Sequence, residues 1–425
     1  MNILVKDTNI LTEQDQPITG SISIENNVIR SIGSIPRSIT YEKVIDGRDF
    51  LAIPGLVNAH THSPMCLFRN AADDLPFNSW LFDRIIPIEN KLTDEDIYYG
   101  ALLGICEMVR SGITCFCDMY ISIDSIATAV MESGIRANLS YSPITASVRN
   151  SKETVDIKAC ESFIKSWHVK GNIRGSIEIH SIYLYEKESI IEAALLAKSL
   201  GVGVQTHLSE SRDEVLQCYN KYSLTPIEAA ESFQIFNVPT IAAHCVHLEG
   251  NDISILKRNN VSVVHCPTSN LKLGNGFAPI KQLLDANINV GIGTDGCASN
   301  NNLNMFEEMH IASLIHKGVL NDSTCIPASQ VVRMATKNGA VAAGFFNLGE
   351  LKVGTHADIV LLDLTKPHMC PMNNPHAALT YSAQASDVDT VIVGGKILME
   401  NRVLTFVDEE RVMGKVREIS KKILT

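Results

Sequence analysis

Eight short apolar segments, separated by longer helix-like stretches, constrain the fold of this chain more than any other feature. In chain order they are AIPGLVNAH, GITCFCD, IRANLSY, RGSIEIH, VGVQTH, PTIAAH, VSVVH and NVGIGTD. Their apolar, β-rich composition is typical of parallel strands that are covered on both faces. Strands that alternate with helices predict a parallel sheet, and eight such units predict an α/β fold of the (β/α)₈ TIM barrel type.

The two ends of the chain share a β character that the middle lacks. Near the start, ITGSISIENNVIRSIGS contains two alternating runs around an Asn-Asn turn, which indicates a hairpin. Near the end, ADIVLLDL and DTVIVGGKILMENRVLT are also β-rich. We therefore expect residues 1–52 and 350–425 to form one small β-sandwich, with the barrel of residues 53–349 inserted between them.

Charge and composition narrow the class of partner. The chain has 425 residues and a formal net charge of −11, and it has no Lys/Arg-rich run that could bind phosphate backbones. It lacks an apolar run long enough to span a membrane, and its start does not resemble a signal peptide. Its eleven cysteines are scattered without a disulfide spacing. These features predict a cytoplasmic protein with a small-molecule partner, no nucleic acid and no membrane.

Polar side chains cluster where the apolar segments end. The carboxyl ends of barrel strands meet at one mouth, so side chains that follow different strands converge there. These strand-end residues are His60, His62, Asp118, His180, His207, His244, His265 and Asp295. The pattern predicts an active site at the carboxyl-terminal face of the barrel.

A metal site is the simplest use of four of these side chains. His60 and His62 form an HxH pair, and residues two apart on a strand point to the same side. With His207 and Asp295 they provide three imidazoles and one carboxylate, a ligand set that suits Zn²⁺ and also Fe²⁺ or Ni²⁺. We expect one divalent metal ion, because the end of the fourth strand carries His180 where binuclear hydrolases place a bridging lysine.

Proton carriers lie beside the expected ligands. A bound divalent ion makes hydroxide available near neutral pH, and hydrolysis then needs groups that move protons. Glu210 follows His207 by three residues and is a candidate general acid/base. Asp295 can exchange a proton with the attacking water, and His244 can hydrogen-bond that water or the developing oxyanion.

Six motifs together resemble one protein family over nearly the full chain. They are PGLVNAHTH, HLSES, AAHCVHLEG, HCPTSNLKLGNGFAPI, GIGTDGCASNNNLNMFEEM and VGTHADIVLLD. The chain resembles the amidohydrolase superfamily and, within it, the group of 5-methylthioadenosine/S-adenosylhomocysteine deaminases and s-triazine chlorohydrolases.

The resemblance implies a role for each site residue. It implies that His60, His62, His207 and Asp295 bind the metal, that Glu210 protonates the ring nitrogen beside the attacked carbon, and that His244 orients the nucleophile. It also implies four residues that bind substrate: Glu89 on the ribose hydroxyls, Trp80 over the nucleoside, His180 on the purine N3, and Ser299 near the ring.

One part of the chain departs from this family. S-adenosylhomocysteine deaminases carry an arginine after the third strand that binds the amino-acid carboxylate, and here Tyr141 stands near that place. Arg149, in the following loop, is the candidate for a second arginine. Because a carboxylate is bound best by a bidentate guanidinium, a neutral 5′ group is as plausible as a homocysteine tail.

The resulting hypothesis is a hydrolase that deaminates an adenosine-type nucleoside: 5′-methylthioadenosine, S-adenosylhomocysteine, 5′-deoxyadenosine or adenosine. Alternatives are deamination or dechlorination of another heterocycle, such as guanine, a pterin or an s-triazine. A binuclear cyclic-amide hydrolase and a metal-free scaffold protein are the remaining alternatives. By analogy with the family, a homodimer or homotetramer is expected.

Overall fold

Nineteen strands and fifteen α-helices make up the part of the chain that the computed structural model describes, which is residues 1–12, 16–33, 35, 39–145 and 153–424. The strands are β1 Ile3–Ile10, β2 Ile18–Glu25, β3 Val28–Gly33, β4 Lys43–Asp46, β5 Phe50–Pro54, β6 Leu56–Thr61, β7 Ile113–Met119, β8 Arg136–Tyr141, β9 Ile144–Thr145, β10 Thr154–Val155, β11 Ile173–Glu178, β12 Val204–Leu208, β13 Thr240–His244, β14 Ser262–His265, β15 Val290–Ile292, β16 Ile359–Asp363, β17 Val388–Val393, β18 Lys396–Glu400 and β19 Val403–Leu404.

The helices lie mostly between the barrel strands. They are α1 Ile86–Glu89, α2 Asp94–Arg110, α3 Ile123–Ser133, α4 Ile157–Trp167, α5 Lys187–Leu200, α6 Arg212–Tyr222, α7 Pro226–Ser232, α8 Asp252–Arg258, α9 Pro267–Lys272, α10 Ile280–Asp285, α11 Met305–Leu320, α12 Ala328–Arg333, α13 Gly339–Ala342, α14 Pro375–Tyr381 and α15 Glu409–Leu424.

Eight of the strands form the predicted barrel. Their hydrogen-bonded order is β6-β7-β8-β11-β12-β13-β14-β15, and all seven pairings are parallel. Each of the eight apolar segments contributes one of these strands. The (β/α)₈ fold expected from the sequence is therefore confirmed.

Capping side chains define where helices begin after the strands and loops. At α2, Thr93 accepts a hydrogen bond from the Asp96 amide while the Asp96 carboxylate accepts one from the Thr93 amide. At α7, Thr225 and Glu228 form the same reciprocal pair. These capping boxes satisfy amides that the first helical turn leaves without a partner.

The first and eighth barrel strands are joined through side chains and loop backbone. The Asn58 side chain donates to the Thr294 hydroxyl over 2.7 Å and accepts from the Thr294 amide over 2.9 Å. The Asp295 amide donates to the His60 carbonyl over 3.0 Å, and the Thr61 hydroxyl donates to the Asp295 carbonyl over 2.9 Å. This contact closes the barrel where His60 and Asp295 are needed together.

Gly293 permits this close approach. A Cβ at this position would lie 2.8–2.9 Å from backbone and Cβ atoms of His60, nearer than real Cβ atoms come to such neighbours. The neighbouring atoms belong to the strand itself and cannot rotate away. The glycine after β15 is therefore a packing requirement of the closure.

Strands from both chain ends form a second sheet, as predicted. Its order is β19-β18-β17-β16-β5-β1-β2-β3, with β4 paired to β1. The strand β5 continues to Pro54 and pairs antiparallel with β16. Buried isoleucines of β1, β2 and β3 pack with Leu361 and Ile392 in a core that is separate from that of the barrel.

A buried ion pair ties this sheet to the barrel. The guanidinium of Arg136, at the start of β8, donates two hydrogen bonds of 2.8 and 3.0 Å to the carboxylate of Asp358, just before β16. Both side chains are buried. The Gly394 amide also donates to Asp358, so the carboxylate is satisfied from both units.

None of the described helices is long and apolar enough to cross a membrane.

The closure of the barrel makes a testable prediction about Gly293. We expect Gly293→Ala to lower the free energy of unfolding by about 1–3 kcal/mol, because the new methyl group separates the first and eighth strands. Metal content should fall with it, since His60 and Asp295 lie on the two strands that move apart. Chemical denaturation and elemental analysis measure the two effects.

Gly318→Ala is the matched control. Gly318 lies within α11, and an added Cβ there has no neighbour within 4 Å. Alanine at an open helical position stabilises by roughly 0.5–1 kcal/mol. A Gly293→Ala protein with the stability and metal content of the unmodified chain would contradict the packing argument.

Candidate active site

Four predicted ligands meet at the carboxyl ends of the barrel strands. Ligand atoms of His60, His62 and Asp295 lie within 4.8 Å of one another. The Asp295 Oδ1 atom is 3.5 Å from His60 Nε2 and 3.2 Å from His62 Nε2. His207 Nε2 is 3.3 Å from His62 Nε2. All four side chains are buried.

The hydrogen bonds of the imidazoles show what this group of atoms fits. The Nδ1 atoms of His62 and His207 face the carbonyls of Met119 and His180, so each donates its proton there and leaves a lone pair on Nε2. Two lone pairs that face each other need a cation between them. Both ring nitrogens of His60 are buried without a hydrogen-bond partner. The donor set therefore fits a divalent metal ion.

Burial prepares these side chains for coordination. It lowers the pKa of His60 to about 4 and holds the pKa of His207 well below its ordinary value, so both imidazoles are neutral. For Asp295, burial acts in the opposite direction, but the adjacent imidazoles of His60 and His62 hold its pKa well below the usual range. His62 differs, because burial lowers its pKa but the hydrogen bond and charge of Asp295 raise it to about 9. Since metals bind neutral imidazoles and ionised carboxylates, His62 loses a proton when the ion binds.

Hydroxyl groups orient the Asp295 carboxylate. Ser269 and Ser299 each donate to its Oδ2 atom, over 2.6 and 2.7 Å, and the Gly296 amide donates to Oδ1 over 2.8 Å. The backbone of Asp295 is left-handed, with φ 61°, a conformation that aspartate tolerates better than most residues. Ser299, expected to line the pocket, thus also positions a ligand.

Glu210 and His244 lie on one side of the ligand cluster. Glu210 Oε1 is 3.9 Å from His244 Nε2 and accepts a hydrogen bond from the Asn275 side chain over 2.9 Å. The other ring nitrogen of His244 faces Asn270 Oδ1 at 2.9 Å, which fixes the ring orientation. Burial raises the pKa of Glu210, so it holds a proton more readily than an exposed glutamate.

Glu214 supports Glu210 from α6, and the sequence reasoning did not identify it. Its two carboxylate oxygens accept hydrogen bonds from the backbone amides of Ser209 and Glu210, over 3.0 and 2.7 Å. The backbone of Ser209 is left-handed there, with φ 53°. This fixed turn directs Glu210 toward the mouth. The acidic residue four positions after Glu210 was the available signal.

Residues expected to bind substrate surround the other side of the cluster. Trp80 lies in the short π-helical segment Ser79–Ile85, is buried, and donates from its indole to the Ala298 carbonyl over 3.2 Å. The His180 ring centroid is 4.5 Å from that of His207, and burial lowers the pKa of His180 to about 3. Burial raises the pKa of Glu89, although the adjacent Tyr120 hydroxyl and His62 oppose this rise.

Tyr141 does not join these residues. Its ring packs against Phe163 of α4, with centroids 5.5 Å apart, on the helix side of β8. Its strand neighbours Asn138 and Ser140 point the opposite way, into the barrel, where Asn138 accepts from Ser176. Strand alternation places Tyr141 outside for this reason. Arg149 lies outside the described residues.

Glu178 is a further acidic residue at the mouth that sequence reasoning missed. It ends β11 two residues before His180, and its side chain is buried. Burial raises its pKa to about 7, with His62 acting against the rise and Glu89 adding to it. An acid inside the otherwise apolar segment RGSIEIH was the signal.

A second group of potential metal ligands surrounds the side chain of an arginine. Ligand atoms of Cys66, Glu107 and Cys297 lie within 4.8 Å of one another. The guanidinium of Arg69 donates to the Glu107 carboxylate and lies 3.5 Å from the Cys66 sulfur. Its positive charge takes the place that a metal ion would need.

The family model described as Amidohydrolase family matches residues 51–398 of this chain. The chain belongs to the amidohydrolase family. Amidohydrolase membership agrees with the resemblance found in the motifs, and the matched region contains the complete barrel and the four expected ligands.

Curated relatives of this amidohydrolase match it from end to end. A 5-methylthioadenosine/S-adenosylhomocysteine deaminase of Acetivibrio thermocellus is 47% identical over 433 residues, covering 100% of both chains. One of the same name from Caldanaerobacter subterraneus subsp. tengcongensis is 44% identical and covers 100% of this chain and 99% of that relative.

Solved structures share the fold of this amidohydrolase. An adenosine deaminase from Xanthomonas campestris with bound zinc has a TM-score of 0.94 and 31% identity, covering 99% of this chain and 98% of that one. An atrazine chlorohydrolase from Arthrobacter aurescens complexed with zinc has a TM-score of 0.91, with 24% identity and coverage of 98% and 100%. The second match supports the fold alone.

The ligand geometry predicts how metal content responds to substitution. We expect His207→Asn to remove most of the bound ion, because His207 supplies one of the facing lone pairs. The control is His265→Asn. His265 also ends a buried barrel strand, but its Nε2 atom lies 3.1 Å from that of His316 in α11. Elemental analysis should show near-normal metal in the control; equal loss in both variants would contradict the assignment.

Glu308 should make the unfolding free energy depend on pH. Its carboxylate accepts from the Asn300 side chain and the Thr268 amide, and burial raises its pKa to about 8 from an ordinary 4.5. Between these values the folded protein binds a proton that the unfolded chain releases, so this group's contribution to stability is lost as pH rises. We expect Glu308→Gln to flatten the fall in unfolding free energy between about pH 5 and 8.

The measurement is denaturant unfolding at several pH values. Glu307→Gln is the control, since Glu307 is the half-buried neighbour on the same helix. An unchanged pH slope in Glu308→Gln would show that Glu308 does not bind this proton.

Proposed function

We propose that this amidohydrolase is a metal-dependent deaminase that hydrolyses an adenosine-type nucleoside to the inosine analogue and ammonia. The observation that carries the proposal is a buried glutamate, Glu210, held beside His244 at the edge of a three-histidine, one-aspartate ligand cluster. A carboxyl group that binds a proton more readily than usual beside a hydrolytic centre suits substrates with a basic ring nitrogen.

His60, His62, His207 and Asp295 would hold the metal. We propose zinc, because it suits these ligands and because the adenosine deaminase of 31% identity contains it. The ion supplies a nucleophile at neutral pH by lowering the pKa of a water molecule. All further steps depend on the protein's own side chains.

Glu210 is the proton donor to the substrate ring. Its proton moves to the ring nitrogen next to the carbon that bears the amino group, so that negative charge does not accumulate on the ring. The hydroxyl proton of the tetrahedral adduct returns to Glu210 as the carbonyl forms. Asn275 holds the carboxyl group in place for both transfers.

Asp295 and His244 handle the attacking oxygen. Asp295 accepts a proton from water and delivers it to the amino group, which leaves as ammonia. Ser269 and Ser299 stay on its other oxygen throughout. His244 orients the attacking oxygen by a hydrogen bond through Nε2, with its Nδ1 held by the Asn270 side-chain oxygen.

The remaining pocket residues orient the nucleoside. Glu89 accepts hydrogen bonds from the ribose hydroxyls, and His180 hydrogen-bonds the purine N3. Trp80 covers the nucleoside with its apolar face. The names of the curated relatives support an adenosine-type substrate, since they act on 5-methylthioadenosine and S-adenosylhomocysteine.

An ultraviolet assay on the metal-loaded protein tests the proposal. The substrates are adenosine, 5′-deoxyadenosine, 5′-methylthioadenosine and S-adenosylhomocysteine, with guanine, a pterin and an s-triazine as the comparison panel. Conversion of an adenine to a hypoxanthine spectrum with release of ammonia supports it. Turnover confined to the comparison panel would refute it.

Replacement of Glu210 gives a sharper test. We expect Glu210→Gln to keep its metal and lose about 10²–10⁴ in kcat, because glutamine cannot transfer the proton. Asp213→Asn is the control, since Asp213 is an exposed acid in the same segment and should leave kcat within about twofold. Near-normal turnover by metal-loaded Glu210→Gln would remove Glu210 from the mechanism.

A further inference from the structure

Glu178 is an unusual carboxyl group in this protein. Its side chain is 6% exposed, and its Oε2 atom is buried without a hydrogen-bond partner. Among the described residues it is the sole carboxyl group with a buried oxygen left unpaired. Buried acceptors without partners are rare and costly, so a partner from outside the protein is the natural explanation at a binding site.

The side chain of Glu178 points into the barrel mouth. Ser176, two residues earlier on β11, faces the barrel interior, where its hydroxyl donates to Asn138 and accepts from Gln205. Strand alternation therefore turns Glu178 to the same side. The charged groups that act on Glu178 are His62, Glu89 and Asp118, all at the mouth.

The charges that act on Glu178 have both signs. His62 lowers the pKa of Glu178, whereas the carboxyl groups of Glu89 and Asp118 raise it. Asp118 is already satisfied by the amide and hydroxyl of Ser63. Glu178 and Glu89 therefore place two acidic side chains at this end of the pocket, which favours a hydrogen-bond donor over a substrate carboxylate.

Glu178 and Glu210 have different neighbours. Glu210 is surrounded by His244, Asp295 and Asn275, whereas Glu178 neighbours Glu89. If the reacting edge of the ring meets Glu210 and the ribose meets Glu89, the ribose and its C5′ substituent lie on the same side as Glu178. This placement rests on the proposed function.

We propose that Glu178 is a specificity-determining residue that accepts a hydrogen bond from a hydroxyl or ammonium group at the C5′ end of the nucleoside. Substrates with such a donor satisfy the unpaired oxygen. A methylthio group or a bare methyl group cannot donate, so it leaves the acceptor buried and unpaired. Sites built to bind a donor reject analogues that lack it more strongly than apolar pockets reject added groups.

The test compares substrates within each variant. We would measure kcat/KM for adenosine, 5′-amino-5′-deoxyadenosine, 5′-deoxyadenosine and 5′-methylthioadenosine with the metal-loaded protein. The unmodified enzyme should prefer adenosine to 5′-deoxyadenosine by at least about tenfold, the cost of one unpaired buried acceptor. Glu178→Ala should reduce this ratio to within about threefold. A ratio of the kcat/KM values for two substrates of one variant does not depend on the fraction of that protein that is active.

Two further variants separate the explanations. Glu178→Gln keeps an acceptor oxygen and the side-chain volume, so it should retain the preference for adenosine but lose any advantage of the 5′-ammonium substrate. Glu188→Ala removes an exposed acid on the following helix, α5, and should leave every ratio unchanged. If Glu178→Ala does not fold, the Glu178→Gln result on the ammonium substrate decides.

The outcomes for the two proposals are distinct. Failure of the unmodified enzyme on all four adenosines would overturn the proposed function. Turnover of adenosines with no preference for a 5′ donor, or with a preference that Glu178→Ala leaves intact, would overturn the role of Glu178 and leave deamination standing.

Discussion

The contact between the first and eighth barrel strands is the constraint on which the site depends. One hydrogen bond joins the Asp295 amide to the His60 carbonyl at 3.0 Å, and Gly293 leaves the space that this approach needs. Three of the proposed ligands lie on these two segments, which are separated by more than 230 residues of sequence. A small change in the distance between the strands would alter the ligand geometry directly, because the ligands have little freedom of their own.

The same network that holds the ligands also fixes their protonation. Backbone carbonyls accept hydrogen bonds from the Nδ1 atoms of His62 and His207, and serine hydroxyls donate hydrogen bonds to one oxygen of Asp295. Burial favours the neutral imidazoles of His60 and His207, whereas Asp295 favours the protonated form of His62. The orientation and the protonation of these side chains thus have one cause, which is the packing of polar groups at the strand ends. The side chains are therefore already arranged before substrate binds.

Residues at strand ends could be predicted from the sequence, because the strand pattern is local and barrel geometry brings the carboxyl ends together. Asn270 could not, since it contributes through a contact with His244 that no spacing rule indicates. For Glu214 the spacing of four residues from Glu210 was a signal, but it does not show that the carboxylate accepts from the Glu210 amide. Tyr141 shows a limit of motif reasoning. The alternation of Asn138 and Ser140 with apolar neighbours in IRANLSY already indicated that Tyr141 faces the helices.

The terminal sheet has a consequence for biosynthesis. Strand β5 lies between β1, from the first residues, and β16, from residues 359–363. While the ribosome is still producing the barrel, β5 has one edge without a partner, and exposed strand edges promote association between chains. The barrel strands emerge before residue 293, but the sheet that anchors the barrel through Arg136 and Asp358 is completed only after residues 359–404 emerge.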